Sequence, residues 1–210
     1  MVLYREVAGT PLDRLPTAGA ATAGELVAGW LTILHTSAAV LTRRLDLAHE
    51  VVNGGAWAAT VGGAAPDVRG TAYALADRLA AVAADLPAVP EVPLHKDLHA
   101  AHVLAVGAGV TVVDLDEARM GDPALDLAHI ATYLDVSSWP GARVARAALV
   151  AAYGPVPGPD PELRTAFFEA GTCLKIAKQL VTGRGPFPAG ADRTALLPAV
   201  LERGTACLAG

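Results

Sequence analysis

The sequence contains few cysteines, few aromatic residues and few lysines. Its two cysteines, Cys173 and Cys207, cannot build a disulfide framework, which suits a reducing compartment, and we expect them to be apolar filler rather than nucleophiles. Aromatic residues make up 5% of a chain that is 53% hydrophobic, and much of that apolar content is alanine, which favours helix. The only lysines are Lys96, Lys175 and Lys178.

A basic surplus and a long apolar run are also missing. The net charge of -5 excludes an extended basic surface for nucleic acid or anionic membrane. The longest uncharged stretch, residues 26–42, contains Gly29, His35 and Ser37, so we do not expect it to span a bilayer. Residues 1–6 carry early charges and no apolar signal region. We therefore expect one cytoplasmic domain covering residues 1–210.

Apolar periodicity predicts a mainly helical chain with a small β element at its centre. Near the N-terminus we expect a short strand at residues 2–4, a turn at 8–11 and a helix capped by Thr22 and Glu25. Further helices are predicted around residues 75–86, 127–134, 140–153, 161–181 and 192–208.

The segment 53–63 is rich in glycine. Its Gly-Gly pairs at Gly54 and Gly62 could suggest a phosphate-binding loop. Such loops need a strand-to-helix context and a lysine, and this segment has neither. We therefore predict a flexible loop.

The informative region begins at His95. Two β-rich runs, 103–106 and 110–113, are joined by the glycine-containing residues 107–109, which predicts a hairpin. Asp97 precedes this hairpin and Asp114 follows it, so both should lie on one side of the molecule. Two converging carboxylates suit chemistry in which one orients a hydroxyl and the other holds a hard cation.

Residues 94–128 resemble the catalytic and metal loops of the aminoglycoside phosphotransferase and choline kinase-like family. Its catalytic loop reads H-G-D-x-x-x-x-N, and His95, Asp97 and Leu98 match it. Its metal loop is matched by Asp114, Gly121, Asp122, Pro123, Asp126, Leu127 and Ala128. The pair Leu34-His35 and the hinge-like segment 1–12 extend the similarity over nearly the whole chain. The resemblance implies a mainly α, protein kinase-like C-lobe with a small β-hairpin and an absent or truncated N-lobe.

The resemblance also implies roles for individual residues. Asp97 would orient the acceptor hydroxyl and take its proton, while Asp114 would bind Mg²⁺ that bridges the phosphates of ATP. Asp126 would bind the backbone of the catalytic loop, and His95 would pack beneath that loop. Asp116 could equally assist the metal site or be a solvated loop residue.

The sequence departs from the family motif at two positions of the catalytic loop. His102 stands where the family has a metal-binding Asn, and Lys96 stands where it has Gly. An imidazole suits Mg²⁺ poorly and a softer ion such as Mn²⁺ or Zn²⁺ better; the alternative is that His102 is structural. A zinc site of His95, His99 and His102 is a further, weaker hypothesis, because this segment reads as loop rather than helix. We expect His129 to be a buried core histidine.

No lysine precedes the catalytic loop, although kinases clamp ATP phosphates with one. Three functions therefore remain open. The chain is a small-molecule phosphotransferase that is truncated or completed by another chain, a pseudokinase-type binding module, or a partner subunit of a biosynthetic complex. In each case we expect a second copy or another protein to cover the strand edge at residues 2–4 and the adjoining face.

Overall fold

The structure is a computed structural model that describes residues 6–187 and 193–209. The predicted strand at residues 2–4 and residue 192 of the last predicted helix lie outside this range. The helices are α1 (Ala20–Thr36), α2 (Leu47–Ala64), α3 (Arg69–Asp85), α4 (Ala124–Asp135), α5 (Ala142–Tyr153), α6 (Pro161–Thr182) and α7 (Arg193–Cys207). The strands are β1 (Thr10–Pro11), β2 (Val92–Leu94), β3 (Val103–Val106), β4 (Gly109–Val112) and β5 (Arg119–Gly121).

Helix α4 lies at the centre of the molecule, and its residues from Ala124 to Leu134 are all buried. It packs against α5 on one side and α6 on another, while α6 also contacts α2, α3 and α7. A helix that is enclosed in this way gives its first turn a rigid position. That first turn contains Asp126, which anchors the candidate site.

Two small antiparallel sheets support the loops around α4. One has the strand order β1-β3-β4, with Leu104 opposite Thr111 across the predicted hairpin, which is confirmed. The other pairs β2 with β5, with Pro93 opposite Met120. We did not predict this second sheet, because three-residue strands are too short to show an alternating pattern.

The glycine-rich segment 53–63 is helical, so the prediction of a flexible loop was wrong. One of its glycines, Gly62, allows α2 to pack closely on α3, because a Cβ there would lie 2.9 Å from Cγ of Arg69. A Cβ at Gly54 would lie 3.6 Å from Cδ1 of Leu79, which is ordinary van der Waals contact. Close packing thus offsets the low helix propensity of glycine.

The N-terminal predictions were also wrong in detail. Helix α1 begins at Ala20, so Thr22 lies inside the helix and does not cap it. The cause is the preceding 3₁₀ turn at Thr17–Gly19, which leads directly into α1. Part of the predicted turn at 8–11 is β1, whose Pro11 needs no N–H partner because it lies in an edge strand.

The later helices agree with the sequence. Helix α3 ends just before Pro87, and α5 ends at Gly154, which adopts a φ of 74°. Helix α6 begins at Pro161, as the preceding Asp160 suggested, although the Asp160 side chain makes no capping hydrogen bond. Over residues 6–187 and 193–209, none of the helices is both long and apolar enough to cross a bilayer.

Candidate functional site

Asp126 fixes the start of the catalytic-loop segment. Its carboxylate accepts hydrogen bonds from the backbone N–H groups of His95 at 2.8 Å and Lys96 at 2.7 Å. The side chain is fully buried, and its Oδ2 also lies 3.3 Å from Nε2 of His35. Tyr153 lies 2.8 Å from the other nitrogen of that ring, so α1, α4 and α5 meet at this point. A buried carboxylate with several donors holds a loop rigidly.

His95 and Lys96 have different positions in the loop. The His95 ring is buried and donates from Nε2 to the carbonyl oxygen of Val113 at 2.9 Å, which ties the loop to the end of the hairpin. Lys96 has a φ of 74°, in the left-handed region. Only glycine adopts that region without strain, which explains physically why the matching motif has Gly there.

Asp97 is paired with a lysine from a distant helix. Lys175, on α6, forms an ion pair with Oδ1 of Asp97 and lies 3.0 Å from Nε2 of His129. The His129 ring also donates from Nδ1 to the carbonyl oxygen of Leu98 at 3.1 Å. His129 is therefore a buried core histidine, as predicted, and it also supports the Lys175 ammonium.

Charge and burial act on Asp97 in opposite directions. Burial is the largest single effect and raises the pKa of the carboxyl, but the Lys175 ammonium, together with further nearby charges, makes the net pKa lower than usual. Burial and the same ammonium hold the pKa of His129 well below its ordinary value. Asp97 is thus ionised and His129 neutral at neutral pH.

All three lysines of the chain surround Asp97. Lys178 lies one turn beyond Lys175 on α6, and burial together with the charge of Lys175 lowers its pKa. Lys96 lies beside a small cavity that it shares with Lys175 and the buried Glu50. Burial and the charge of Lys175 lower the pKa of Lys96, while burial raises that of Glu50. This arrangement could not be predicted from the sequence, because helical periodicity does not reveal which distant loop a helix contacts.

His102 connects Asp97 to Asp114. Its Nδ1 lies 2.9 Å from the backbone carbonyl oxygen of Asp97, and its Nε2 lies 3.3 Å from Oδ2 of Asp114. Burial lowers the pKa of His102, against the opposing effect of the hydrogen bond to Asp97. The Asp114 side chain is 53% exposed and its backbone is left-handed, with a φ of 64°. One imidazole ring therefore links the backbone of Asp97 to the carboxylate of Asp114.

The three histidines of the weaker zinc hypothesis do not form a metal site. Their rings stack, with centroids 5.6 Å apart for His95 and His102 and 3.6 Å apart for His99 and His102. In the described part of the chain, no group of three or more His, Cys, Asp or Glu side chains could hold a metal ion. A carboxylate with one imidazole fits an ion whose other ligands come from phosphate oxygens and water.

A pocket of about 490 Å³ opens beside His99. Its lining includes Asp13, Tyr133, Ser137, Trp139 and Phe187. Burial, reinforced by the neighbouring His102, lowers the pKa of His99 to about 3, so its ring is neutral. Both Nδ1 of His99 and Oδ1 of Asp13 are buried without a hydrogen-bond partner, an arrangement that buried polar atoms seldom show.

Comparisons with known proteins find a matching family model and similar solved structures. A family model described as "Phosphotransferase enzyme family" matches residues 1–165. A choline/ethanolamine kinase family protein from Mesorhizobium loti has a similar structure, with a TM-score of 0.66 and 18% identity, over 98% of this chain and 68% of that one. No curated protein matches the sequence.

Two further phosphotransferases are also similar in structure. One is an aminoglycoside phosphotransferase solved with ADP and hygromycin B, with a TM-score of 0.73 and 16% identity over 98% of this chain and 71% of that one. The other is a spectinomycin phosphotransferase solved with ADP and spectinomycin, with a TM-score of 0.61 and 12% identity over 96% of this chain and 69% of that one. At these identities the likeness concerns the fold, which is mainly helical with small antiparallel sheets.

Proposed function

Because this chain belongs to the phosphotransferase enzyme family, we propose that it takes part in ATP-dependent transfer of a phosphoryl group to a hydroxyl of a small molecule. The observation that carries the proposal is the His102 ring. It contacts the backbone carbonyl oxygen of Asp97 at 2.9 Å and the carboxylate of Asp114 at 3.3 Å, so one ring positions both the catalytic-loop segment and the proposed metal-binding acid. Phosphoryl transfer needs this positioning more than it needs covalent chemistry.

Asp97 is the proposed base. Its Oδ1 is engaged by Lys175, and its side chain is 33% exposed, so the second carboxylate oxygen can accept a hydrogen bond from an acceptor hydroxyl. The hydroxyl oxygen attacks the γ-phosphorus of ATP, its proton passes to Asp97, and ADP leaves. The Lys175 ammonium keeps Asp97 ionised and ready to take that proton.

Asp114 and His102 are the proposed ligands of the divalent ion, which in this family resemblance is Mg²⁺. The ion would neutralise charge on the phosphates of ATP, and Asp126 would keep the loop between the two acids in place. Both proposed ligands lie at the end of the same hairpin, where an ion can enter from solvent beside the exposed Asp114 carboxylate.

The acceptor is proposed to occupy the pocket beside His99. Asp13 contributes one carboxylate to the lining, Arg14 one guanidinium, and Trp139 and Phe187 apolar surface. The one carboxylate and the one guanidinium cancel, so the lining has no excess negative charge to attract a cation. This supports a hydroxylated acceptor with few positive charges. The unpartnered atoms of His99 and Asp13 would bind its polar groups.

The test is release of ADP from ATP by the purified chain with Mg²⁺ or Mn²⁺, measured against a panel of polyols, sugars, amino alcohols and hygromycin B. We expect acceptor-dependent ADP release that falls at least about 100-fold in Asp97→Asn. Asp77→Asn, an exposed change on α3, is the matched control. Acceptor-dependent release of equal size in Asp97→Asn would refute the role of Asp97.

A second candidate function is a non-catalytic binding module, acting alone or as a partner subunit covered by a second copy or another protein. It is favoured by His102 at the position of a metal-binding Asn and by the placement of every lysine at or after residue 96. In this case calorimetry would detect binding of the acceptor or of ADP, no ADP would be released from ATP, and Asp97→Asn would leave binding unchanged. Light scattering during size exclusion would show whether a second copy is present.

A further inference from the structure

We propose that Glu50 is a positioning residue for the proposed base, because its buried carboxylate holds the Lys96 ammonium away from the free carboxylate oxygen of Asp97. The inference rests on the proposed function in one respect, since it takes Asp97 as the base. It assigns a task to Glu50 and Lys96, two residues that the proposed reaction does not otherwise use.

Lys96 brings an additional positive charge next to the base. It stands directly before Asp97 in the chain, and its half-buried side chain lines the same small cavity as Lys175. Two ammonium groups at such close quarters repel each other, and burial adds the cost of lost hydration. The Lys96 ammonium therefore needs a carboxylate close to it.

Two carboxylates are near enough to serve, and only one of them leaves the base free. Oδ1 of Asp97 is engaged by Lys175, and the other oxygen is where the acceptor hydroxyl is proposed to bind. If the Lys96 ammonium bound that second oxygen, it would take the place of the acceptor. Glu50 offers Lys96 the alternative partner.

The position of Glu50 on α2 fits this task. Its side chain is buried and lines the cavity together with Lys96 and Lys175. The cavity volume of about 10 Å³ leaves room for about one water molecule, so the three charged groups lie close together. Asn53, one turn further along α2, donates a hydrogen bond of 3.1 Å to Oε1 of Glu50 and fixes the carboxylate, while Oε2 stays available.

The charges around Lys96 support the same pairing. Burial lowers the pKa of Lys96, and the charges of Lys175 and Arg119 add to this effect. Glu50 and Asp97 oppose it, and the effect of Glu50 is the larger of the two although Asp97 is the adjacent residue. The Lys96 ammonium is thus closer in its electrostatics to Glu50 than to the base.

The experiment is a double-mutant cycle between Glu50→Gln and Lys96→Met, two changes that each remove one charge and keep most of the side-chain volume. We expect acceptor-dependent ADP release to fall about 10-fold or more in Glu50→Gln, with a raised KM for the acceptor, because Lys96 then turns towards Asp97. The double variant should recover to within about 3-fold of Lys96→Met alone, since no ammonium remains to compete.

The matched control combines Glu50→Gln with Lys178→Met. Lys178 lies on α6 near Lys175 but is not among the described residues that line the cavity. Its removal should therefore leave the Glu50→Gln defect in place. Glu50→Asp keeps the negative charge and should retain more ADP release than Glu50→Gln.

Urea unfolding of the wild-type chain, the two single variants and the double variant separates this inference from the proposed function, because it requires no activity. We expect Glu50 and Lys96 to be coupled by about 5-fold or more in the unfolding equilibrium constant. Such coupling in a wild-type chain that releases no ADP would support the pairing of Glu50 with Lys96 and count against phosphoryl transfer. Coupling below about 2-fold would overturn the inference.

The kinetic arm can overturn the inference on its own. A Glu50→Gln defect that Lys96→Met does not relieve would mean that Glu50 acts only by supporting the fold. ADP release by Glu50→Gln at the wild-type rate would also overturn the inference and leave the proposed function standing.

Discussion

Lys175 of α6 and Asp97 of the catalytic-loop segment form an ion pair across 78 residues of sequence. Lys175 is 9% exposed, and its ammonium also contacts His129, so its position is well defined. Asp97 depends on this cation for its low pKa, since burial alone would raise that pKa. A helix near the end of the chain thus controls the ionisation of the proposed base.

Replacing Lys175 with Met should raise the pKa of Asp97, because the depressing charge is lost and burial remains. A base with a raised pKa is protonated at higher pH, so the acid limb of the pH profile for acceptor-dependent ADP release should move to higher pH. We also expect the rate at neutral pH to fall about 10-fold or more. The measurement is the rate of ADP release from about pH 3 to about pH 8, a range that begins below the ordinary carboxyl pKa of about 3.9.

Two further variants test whether charge or structure is responsible. Lys175→Arg keeps the cation, so the acid limb should lie close to its wild-type pH, although the guanidinium is larger than the ammonium. Lys178→Met removes a neighbouring lysine that does not contact Asp97 and should shift the limb less. Identical profiles for the Met and Arg variants of Lys175 would contradict a role based on charge.

Asp126→Ala should destabilise the fold by roughly 3–5 kcal/mol, because it leaves two buried backbone N–H groups and the His35 ring without their acceptor. The free energy of unfolding in urea measures this. Asp77→Ala, an exposed change on α3, should alter stability by less than about 0.5 kcal/mol. A loss of similar size in both variants would mean that Asp126 is not an anchor.

Lys96→Gly should stabilise the chain by roughly 0.5–1 kcal/mol. A non-glycine residue in the left-handed region costs about 1–2 kcal/mol, which the change to glycine removes. Part of this stabilisation is lost again because glycine has a larger conformational entropy in the unfolded chain. Lys96→Ala removes the same charge and keeps the strained backbone, so the difference between the two variants isolates the backbone effect. Equal stability of the Gly and Ala variants would show that the left-handed conformation carries no strain.

The same lysine predicts a pH dependence. The pKa of Lys96 is lower in the folded chain than its ordinary value of 10.5. At pH values between the folded and the unfolded pKa, the unfolded chain therefore binds more protons than the folded chain. Stability then rises with pH in that window. The wild-type chain should therefore gain stability relative to Lys96→Ala as the pH increases from neutral towards about 10, which urea unfolding at several pH values would detect.

Gly24→Ala should disrupt the contact between α1 and α5. A Cβ at Gly24 would lie 2.2 Å from the carbonyl oxygen of Ala145, so the helices must separate, at a cost of roughly 1–3 kcal/mol. Gly29 lies in the same helix with nothing within 4 Å of its Cβ position. Gly29→Ala should therefore stabilise the chain by about 0.5–1 kcal/mol. If the Gly24 contact limits the spacing of α1 and α5, thermal unfolding should show a lower melting temperature for Gly24→Ala and a higher one for Gly29→Ala.

The sequence predicted the helices and the central hairpin well, because their apolar spacing and their Gly and Pro boundaries are local signals. It failed at α2, where Gly62 is needed for close packing that only the folded neighbours reveal. It identified the segment that contains Asp97 and Asp114 because short motifs keep their spacing along the chain. It could not identify Lys175 or the pocket atoms of Asp13 and His99, because those depend on which distant elements meet.

Because every lysine of the sequence lies near Asp97, reagents that modify primary amines should label the candidate site selectively. Apart from the α-amino group, an acylating reagent has only Lys96, Lys175 and Lys178 as primary amines to modify. Lysines with lowered pKa values carry more free amine at neutral pH, so Lys96 and Lys178 should react readily once reagent reaches them. Mass spectrometry of the labelled chain would then measure how far this one region is modified. Any acetylation of these lysines in a cell would likewise fall beside the proposed base.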